Sequence, residues 1–175
     1  MRSDQVPLLW LCGPSGVGKS AVAWEIVTRL SRTGVRVGYV DIDQIGMCYP
    51  TRSDDPGNDR LMGHNLAAMW PNFRTVGVER FVVSGCIDTP SLVPVYTNLP
   101  GSALTLCRLR ADRRELRARF LGRGRYVDLV DAALSEADTL DRSDFADLCI
   151  DTSGLSVPEV AALVRERAGW PVLRG

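Results

Sequence analysis

Lysine is almost absent from this sequence, which has one lysine, Lys19, and twenty arginines among its 175 residues. Lys19 belongs to the run Gly18-Lys19-Ser20, so the N-K-x-D box by which GTPases recognise guanine has no lysine available to it. An ordinary GTPase is therefore excluded. Lysine is a compact point charge and arginine is a planar fork, so the two do not replace each other in a tight anion cradle. The composition thus singles out position 19.

Long apolar runs are also missing. No run approaches the ~18 residues of a membrane span, and the N-terminus lacks a basic segment followed by an apolar signal core. We therefore expect a cytoplasmic protein without a membrane partner. The formal net charge is zero, which gives no general attraction to nucleic acid or anionic lipid, so a nucleic-acid partner is not expected either.

Cysteine pairs are missing as well, because none of the five cysteines forms a C-x-x-C motif. Four of them fall in predicted strands or at strand ends: Cys12, Cys86, Cys107 and Cys149. We interpret these four as small buried apolar residues, whereas Cys48 lies in a predicted loop. The single histidine, His64, lies in a predicted helix and is interpreted as an ordinary helical residue.

The strongest motif matches G-x-x-x-x-G-K-[ST]. Its residues are Gly13, Pro14, Ser15, Gly16, Val17, Gly18, Lys19 and Ser20. An apolar run at 8–12 predicts a strand before it, and helical spacing of apolar residues over 22–30 predicts a helix after it. In that context we expect the backbone N–H groups of the loop to cradle nucleotide phosphates, Lys19 to reach the β- and γ-phosphates, and Ser20 to ligate Mg²⁺. The alternative is a glycine turn before an ordinary helix.

Short apolar runs alternate with helical patterns along the rest of the chain. Strands are predicted at 8–12, 35–40, 81–85, 103–109 and 148–150, and further helices at 59–76, 112–121, 127–139 and from 156 onward. Pro71 is expected to kink or interrupt its helix. Continuously apolar strands are typical of a parallel sheet covered on both faces. The sequence therefore predicts an α/β fold with three layers, α/β/α, and one domain over residues 1–175.

Two carboxylates follow the second predicted strand. Asp41 and Asp43 stand at i and i+2 of a segment expected to be extended, so their side chains would point the same way. The carboxyl ends of parallel strands are where open α/β sheets bind ligands. One carboxylate would hold Mg²⁺ through its water shell, and the other would accept a proton from an attacking hydroxyl. The alternative is an acidic pair that merely starts a loop.

Arginine is dense between residues 108 and 125. Part of this run is expected on the solvated face of a helix. Arg119, Arg123 and Arg125 lie beside two glycines, Gly122 and Gly124, and predict a mobile flap over about 119–126. Such a flap would close over the triphosphate and neutralise charge on the transferred group. The alternative is an exposed turn that binds nothing.

The loop over about 44–60 is expected to line the pocket of a phosphoryl acceptor. It would do so together with Arg74 and the turn at 85–86, and its own candidates are Tyr49, Arg52 and Arg60. Arginines there would suit an anionic or nucleotide-like acceptor. Tyr49 and Trp70 would equally suit stacking on a base or ring.

Taken together, these motifs resemble the small P-loop kinases related to gluconate kinase, shikimate kinase, adenylylsulfate kinase and chloramphenicol phosphotransferase. The resemblance runs from residue 8 to about 167. It depends on the phosphate loop, the D-x-D after the second strand, the segments 106–112 and 116–124, and Asp151-Thr152-Ser153 after the fifth strand. It implies the strand order 2-3-1-4-5 and transfer of the γ-phosphoryl group of ATP to a small hydroxylated acceptor.

The resemblance also implies roles for single residues. Asp41 would hold the Mg²⁺ shell and Asp43 would be the acceptor-side base. Arg119 would lie near the adenine or the phosphates, and Arg123 would be the flap arginine. The two residues that would border the adenine are Asp151 and Thr152. No acceptor motif of a single member is present, so the acceptor stays open, and a monomer and a homodimer are both compatible with the sequence.

Two other functions compete with a kinase. A P-loop ATPase or switch protein usually carries an acidic residue at the end of an apolar strand, and here the third strand ends in Ser84-Gly85, although Asp88 follows. A nucleotide-binding regulator without catalysis would need only Lys19 and Ser20. The acidic pair and the arginine flap favour the kinase.

Overall fold

Five strands form one parallel sheet in the computed structural model, which describes residues 5–122 and 129–170. In chain order the strands are β1 (Val6–Cys12), β2 (Val37–Asp41), β3 (Arg80–Ser84), β4 (Ser102–Arg110) and β5 (Leu148–Asp151). Their order across the sheet is β2-β3-β1-β4-β5, and every neighbouring pair is parallel. The predicted fold class and strand order are confirmed.

Helices cover both faces of this sheet. They are α1 (Lys19–Arg32), α2 (Ile42–Ile45), α3 (Asp59–Thr75), α4 (Val93–Thr97), α5 (Arg113–Leu121), α6 (Val130–Asp141) and α7 (Val157–Arg167). A 3₁₀ turn at Pro90–Leu92 precedes α4. Asp112 caps α5 by accepting the Glu115 backbone N–H at 2.7 Å, and Ser156 with Glu159 forms the capping box of α7.

The central strand β1 supplies both hydrophobic cores of the sheet. Because side chains alternate along a strand, Leu9 and Leu11 pack under α1 and α7, whereas Leu8 and Trp10 pack under α3 and α4. All four side chains are fully buried. Burial on both faces explains why the strand is a continuous apolar run rather than an alternating one.

Helix α3 continues through Pro71, so the predicted interruption is wrong. A proline inside a helix removes one backbone hydrogen bond, but tertiary packing outweighs that loss here. The neighbouring Trp70 is buried against Phe81, with ring centroids 5.0 Å apart, and its Nε1 donates to the Pro100 carbonyl oxygen at 2.9 Å. The Thr75 hydroxyl also donates to the Pro71 carbonyl at 3.0 Å.

The cysteines divide differently from the prediction. Cys12 and Cys107 are buried as expected, and Cys48 is exposed in its loop. Cys149 is also exposed, so its interpretation as a buried residue is wrong. The reason is that β5 is the edge strand of the sheet, paired on one side only, by β4. Cys86 is half-buried and contacts a charged residue of α6.

All five strands run in the same direction, so their carboxyl ends meet at one edge of the sheet. That edge carries the loop after Cys12, the end of β2 at Asp41, the turn after Ser84 and the end of β5 at Asp151. Open α/β sheets bind ligands at this edge. Within the two described ranges, no helix is long and apolar enough to span a bilayer.

Gly63 provides a test of how closely α3 packs on α4. A Cβ at this position would lie 2.5 Å from the Val95 carbonyl oxygen. Alanine favours a helix interior over glycine by about 1 kcal/mol, but relief of the clash requires a backbone shift. We expect Gly63→Ala to lower the free energy of unfolding by about 1–3 kcal/mol, measured by urea denaturation.

The matched control for this change is His64→Ala. His64 is exposed on the same helix, so alanine gains helix propensity there without a new contact. We expect this variant to be as stable as the wild type or slightly more stable. A Gly63→Ala protein with unchanged stability would contradict the close approach of the two helices.

Candidate active site

The phosphate loop turns directly off the end of β1 and passes close to β4. Gly13 has φ +139°, and a Cβ there would lie 2.3 Å from the Leu109 carbonyl oxygen, so no other residue fits. The loop ends where α1 begins at Lys19, and the Val22 backbone N–H donates to the Gly18 carbonyl at 3.0 Å. The loop and the positive end of a fourteen-residue helix therefore lie together at this edge of the sheet.

The ammonium group of Lys19 lies over its own loop. Its Nζ donates to the carbonyl oxygens of Gly13 at 2.8 Å and Pro14 at 3.2 Å. Lys19 also lines a cavity of about 320 Å³ with Ser20 and Asp43. Neutral carbonyls bind a cation more weakly than an anionic oxygen does. An anion in this cavity would therefore attract the ammonium group away from its present partners.

Ser20 and Asp41 are in direct contact. The Ser20 hydroxyl donates to Asp41 Oδ2 at 2.7 Å, and the Tyr39 hydroxyl lies 3.4 Å from the same oxygen and 2.8 Å from Ser84 Oγ. Asp41 stands opposite Ser84 in the pairing of β2 with β3. Mg²⁺ in nucleotide sites takes one or two protein oxygens and completes its shell with phosphates and waters. The hydroxyl and carboxylate of this pair fit such an ion.

Asp43 does not lie on an extended segment, so the predicted i, i+2 geometry is wrong. Strand β2 ends at Asp41, and residues Ile42–Ile45 form the short helix α2. The change of direction is stabilised because Asp41 Oδ1 accepts the Asp43 backbone N–H at 3.2 Å, as a helix N-cap does. Both carboxylates nevertheless remain at the carboxyl end of β2, and Asp43 lines the same cavity as Lys19.

The carboxyl group of Asp43 has a raised pKa. Burial is the main cause, because it disfavours the charged form. The Lys19 ammonium lowers the pKa in part, and the carboxylates of Asp41 and Glu136 raise it again. The result is a stronger proton acceptor than an ordinary aspartate, next to the phosphate loop.

A second cavity, of about 470 Å³, lies on the other side of the loop. Residues Gly16, Gly18 and Ala21 line both cavities, so the two meet at the start of α1. The second cavity is mainly apolar, with a wall that includes Leu155 and Val157. A polar cavity joined to a more apolar one is an arrangement that can hold a phosphate chain and an attached ring.

Arg119 joins the phosphate loop to the end of β5. Its Nη1 donates to the Val17 carbonyl at 3.0 Å and to Thr152 Oγ1 at 2.8 Å, and its Nη2 donates to the Thr152 carbonyl at 2.8 Å. The Glu115 carboxylate accepts from Nη2 as well. Both Arg119 and Thr152 line the apolar cavity. Arg119 is therefore a clamp between two elements as well as part of a cavity wall.

Asp151 and Arg123 complete the residues predicted for the nucleotide side. Asp151 forms an ion pair with Arg110 at 3.3 Å and accepts the Ser153 backbone N–H at 2.9 Å. The hydrogen bonds from Ser153 lower the pKa of the Asp151 carboxyl. Arg123 and Arg125, with residues 123–126 of the predicted flap, lie outside the described residues.

Two arginines predicted for the acceptor loop are bound to the same aspartate. Arg52 Nε lies 2.9 Å from Asp54 Oδ1, and Arg60 Nη2 lies 2.7 Å from Asp54 Oδ2. These hydrogen bonds lower the pKa of the Asp54 carboxyl to about 2. Tyr49 is exposed in the same loop. The charge of the two guanidinium groups is thus partly balanced within the loop, which weakens the argument for an anionic acceptor.

Arg74 and Trp70 do not line an acceptor pocket, so that prediction is wrong. Arg74 Nη1 donates to the Gly101 carbonyl at 3.1 Å, and its guanidinium lies 5.8 Å from the ring of Trp70. Gly101 directly precedes β4, at the amino ends of the strands. Helix α3 begins near the site and ends at Thr75, and seventeen residues of helix extend about 25 Å. Its last turn therefore reaches the opposite edge of the sheet.

Glu136 is a site residue that the sequence reasoning missed. It lies in α6, and its Oε2 accepts the Ser15 backbone N–H at 2.9 Å. Its Oε1 accepts from Cys86 Sγ at 2.6 Å. A weak signal existed, because Glu136 stands three residues after Ala133 and four before Leu140, at the edge of the buried stripe of α6. A carboxylate beside an apolar stripe requires a polar partner.

The fold together with this loop is that of the small P-loop kinases, as the resemblance predicted. A tunicamycin resistance protein from Deinococcus radiodurans superposes with a TM-score of 0.73 at 20% identity, over 98% of this chain and 100% of that one. A gluconokinase from Sinorhizobium meliloti superposes with a TM-score of 0.63 at 20% identity, over 97% of this chain and 94% of that one. APS kinase from Mycobacterium tuberculosis, in complex with AMPPNP and APS, superposes with a TM-score of 0.63 at 16% identity. The match covers 94% of this chain and 98% of that one.

No protein-family model matches the chain, and no curated protein does. The likeness to the solved structures, at these identities, establishes the fold.

The clamp formed by Arg119 gives a testable prediction. Lysine cannot reproduce a planar fork that contacts Val17 and Thr152 together. We expect Arg119→Lys to lower the free energy of unfolding by about 1–3 kcal/mol, since bonds from a charged donor are lost. Thermal and urea denaturation measure this. The control is Arg117→Lys on the exposed face of the same helix, expected within about 0.5 kcal/mol of wild type. Equal losses in both variants would contradict the clamp.

Proposed function

We propose that the protein is an ATP- and Mg²⁺-dependent phosphotransferase that moves the γ-phosphoryl group of ATP to a hydroxyl group of a small molecule. The observation that carries the proposal is the arrangement at one cavity. Lys19 and Ser20 of the phosphate loop, Asp41 in contact with Ser20, and Asp43 with its raised pKa all lie at the same sheet edge. This set supplies an anion cradle, a metal ligand pair and a base.

The nucleotide would bind across the two joined cavities. Loop amides and Lys19 would bind the phosphates, since backbone N–H groups and an ammonium are suitable donors to anionic oxygens. The base would occupy the apolar cavity beside Arg119 and Thr152. The APS kinase with the same fold is known in complex with AMPPNP, which supports ATP as the nucleotide here.

Ser20 and Asp41 would hold Mg²⁺, Ser20 directly and Asp41 through the water shell. Mg²⁺ bound there would neutralise negative charge on the β- and γ-phosphate oxygens. The orientation of the Asp41 carboxylate is fixed, because it accepts hydrogen bonds from the Ser20 hydroxyl and from the Asp43 backbone N–H.

Asp43 would act as the general base. Its carboxylate accepts the proton of the acceptor hydroxyl while that oxygen forms a bond to the γ-phosphorus. The bond from the γ-phosphorus to the β–γ bridging oxygen breaks, and ADP leaves with that electron pair. Lys19 stabilises the charge on the transferred group and on the leaving oxygen. Arg123 would add a second positive charge if the flap closes as predicted.

A hydrolytic P-loop protein is less well supported. Such proteins position water with an acidic residue at the end of a strand next to the loop. The corresponding strand β3 ends at Ser84, which is buried and hydrogen-bonded to the Tyr39 hydroxyl at 2.8 Å. Ser84 is neutral, so the nearby carboxylates on β2 and α2 remain the candidates for metal binding and proton transfer.

The roles of Asp41 and Asp43 can be separated by kinetics. We expect Asp43→Asn to lower the transfer rate about 10²–10⁴-fold, as loss of a general base does, without changing the Mg²⁺ requirement. Asp41→Asn should instead raise the Mg²⁺ concentration needed for half-maximal rate. The measurement is a Mg²⁺ titration at saturating ATP and acceptor. If only Asp43→Asn raised the Mg²⁺ concentration needed for half-maximal rate, the roles of metal ligand and general base would be reversed.

The pH profile provides an independent check of Asp43. Wild-type kcat/KM should fall as the pH falls through the pKa of Asp43, at a value above the ordinary 3.8, and Asp43→Asn should lack this limb. Folding disfavours the ionised form of a group whose pKa is raised, so its carboxylate costs stability above the folded-state pKa. The Asn variant should therefore be at least as stable as wild type near neutral pH, which shows that a loss of rate is not unfolding.

Acceptor dependence tests the reaction class. With ATP alone the protein should turn over slowly, because water is a poor substitute for a positioned hydroxyl. A panel of sugar acids, nucleosides, shikimate, adenylylsulfate and hydroxylated antibiotics including tunicamycin should contain a compound that raises ADP release strongly. Lys19→Ala should abolish that increase while keeping the melting temperature. Fast hydrolysis of ATP without any acceptor would favour the ATPase.

A further inference from the structure

A carboxylate of the protein itself already occupies part of the phosphate loop. Glu136 Oε2 accepts the Ser15 backbone N–H at 2.9 Å, and Glu136 Oε1 accepts the Cys86 thiol at 2.6 Å. Ser15 lies in the curled part of the loop, where backbone N–H groups bind phosphate oxygens. A carboxylate oxygen and a phosphate oxygen are equivalent acceptors for such a donor.

Helix α6 is held firmly enough to make this contact a property of the fold. The buried side chain of Arg108 donates from Nη1 to the Leu140 carbonyl and pairs through Nη2 with Asp141 at 2.6 Å. These contacts fix the end of the helix. Ala137 and Pro14 line one narrow crevice, so the helix also packs against the loop itself. The backbone of Glu136 is thus positioned, and its side chain can leave only by rotation.

Within the part of the chain that the structure describes, the carboxylate of Glu136 has no strongly charged partner. Among the residues at 5–122 and 129–170, neither lysine nor arginine forms an ion pair with it. Its partners there are a backbone amide and a thiol. It also raises the pKa of the nearby Asp43 carboxyl, as a like charge does. The contact with the loop is therefore one that a more highly charged anion can displace.

We propose that Glu136 is an internal competitor of the nucleotide, whose carboxylate must leave the Ser15 amide before a phosphate group can bind there. This inference rests on the proposed function in so far as the phosphate chain belongs to a nucleotide. The single N–H hydrogen of Ser15 cannot serve both anions at full strength, and two anions at that distance repel each other. Glu136 thereby weakens nucleotide affinity and sets the concentration at which the site fills.

Displacement has a second consequence at Cys86. Burial is the main cause that raises the pKa of the Cys86 thiol, and its contact with Glu136 raises the pKa further. The thiol loses its acceptor when the carboxylate rotates away. Cys86 directly follows Gly85, at the end of β3 on the predicted acceptor side. The same carboxylate therefore links the phosphate loop to that side of the site.

The test is direct binding, measured by titration calorimetry without any acceptor. The ligands are ATP with Mg²⁺ and, separately, pyrophosphate, which carries the phosphate charge without a nucleoside. The proteins are wild type, Glu136→Gln, Glu136→Ala and the control Asp131→Asn, which removes one negative charge from an exposed position of the same helix.

We expect Glu136→Ala to bind both ligands roughly tenfold or more tightly than wild type, as loss of a competing charge-assisted bond allows. The affinity of Glu136→Gln should lie between those of wild type and Glu136→Ala, because the amide oxygen of glutamine still accepts the Ser15 N–H. Asp131→Asn should match wild type. All four proteins should unfold at similar temperatures without ligand, since the Ser15 amide is open to water once the side chain is removed.

Three results would overturn the inference. If both Glu136 variants bind ATP and pyrophosphate as wild type does, or more weakly, Glu136 is not a competitor, and the proposed phosphotransferase stands unaffected. If tightening appears equally in Asp131→Asn, the effect is general charge and not occupation of the loop. Absence of binding by all four proteins would overturn both this inference and the proposed nucleotide site.

Discussion

The position of β1 between β3 and β4 is the constraint on which the site depends. Paired on both sides, the strand has no freedom to slide, and its register places Leu11 opposite Ser84 and Cys12 opposite Arg108. The chain then turns at Gly13, where an added Cβ would lie only 2.3 Å from the Leu109 carbonyl oxygen. The phosphate loop is therefore shaped by the sheet beneath it, and α1 is aimed by the same turn.

Around that turn, polar side chains are connected so that each carboxylate has a defined position. Asp41 is held by Ser20 on α1 and caps α2, so the pair that we propose as metal ligands spans two elements. Arg119 connects the loop to β5 in the same way from the opposite side. Preorganised groups of this kind do not have to be ordered when a ligand arrives, which is a large part of what an active site contributes to a reaction.

Local features were predictable from the sequence, and features that depend on packing were not. The phosphate loop is a contiguous motif, and the strand ends meet at one edge in any parallel sheet, so both could be placed. The geometry of Asp43 could not, because α2 has only four residues and depends on its cap. Arg74 was wrongly predicted to line the acceptor pocket, because α3 is long enough to carry it to the opposite edge of the sheet. Glu136 required knowledge that α6 packs on Pro14.

The scarcity of lysine has a practical meaning now that the position of its side chain is known. Lys19 carries the only side-chain amine of the chain, and that amine rests on the carbonyl oxygens of its own loop. Among side chains, a reagent that modifies amines will therefore mark a single place, the phosphate loop. The extent of that one modification, read by mass spectrometry, reports whether the cradle is occupied. The molecule thus contains a built-in chemical reporter for its own site.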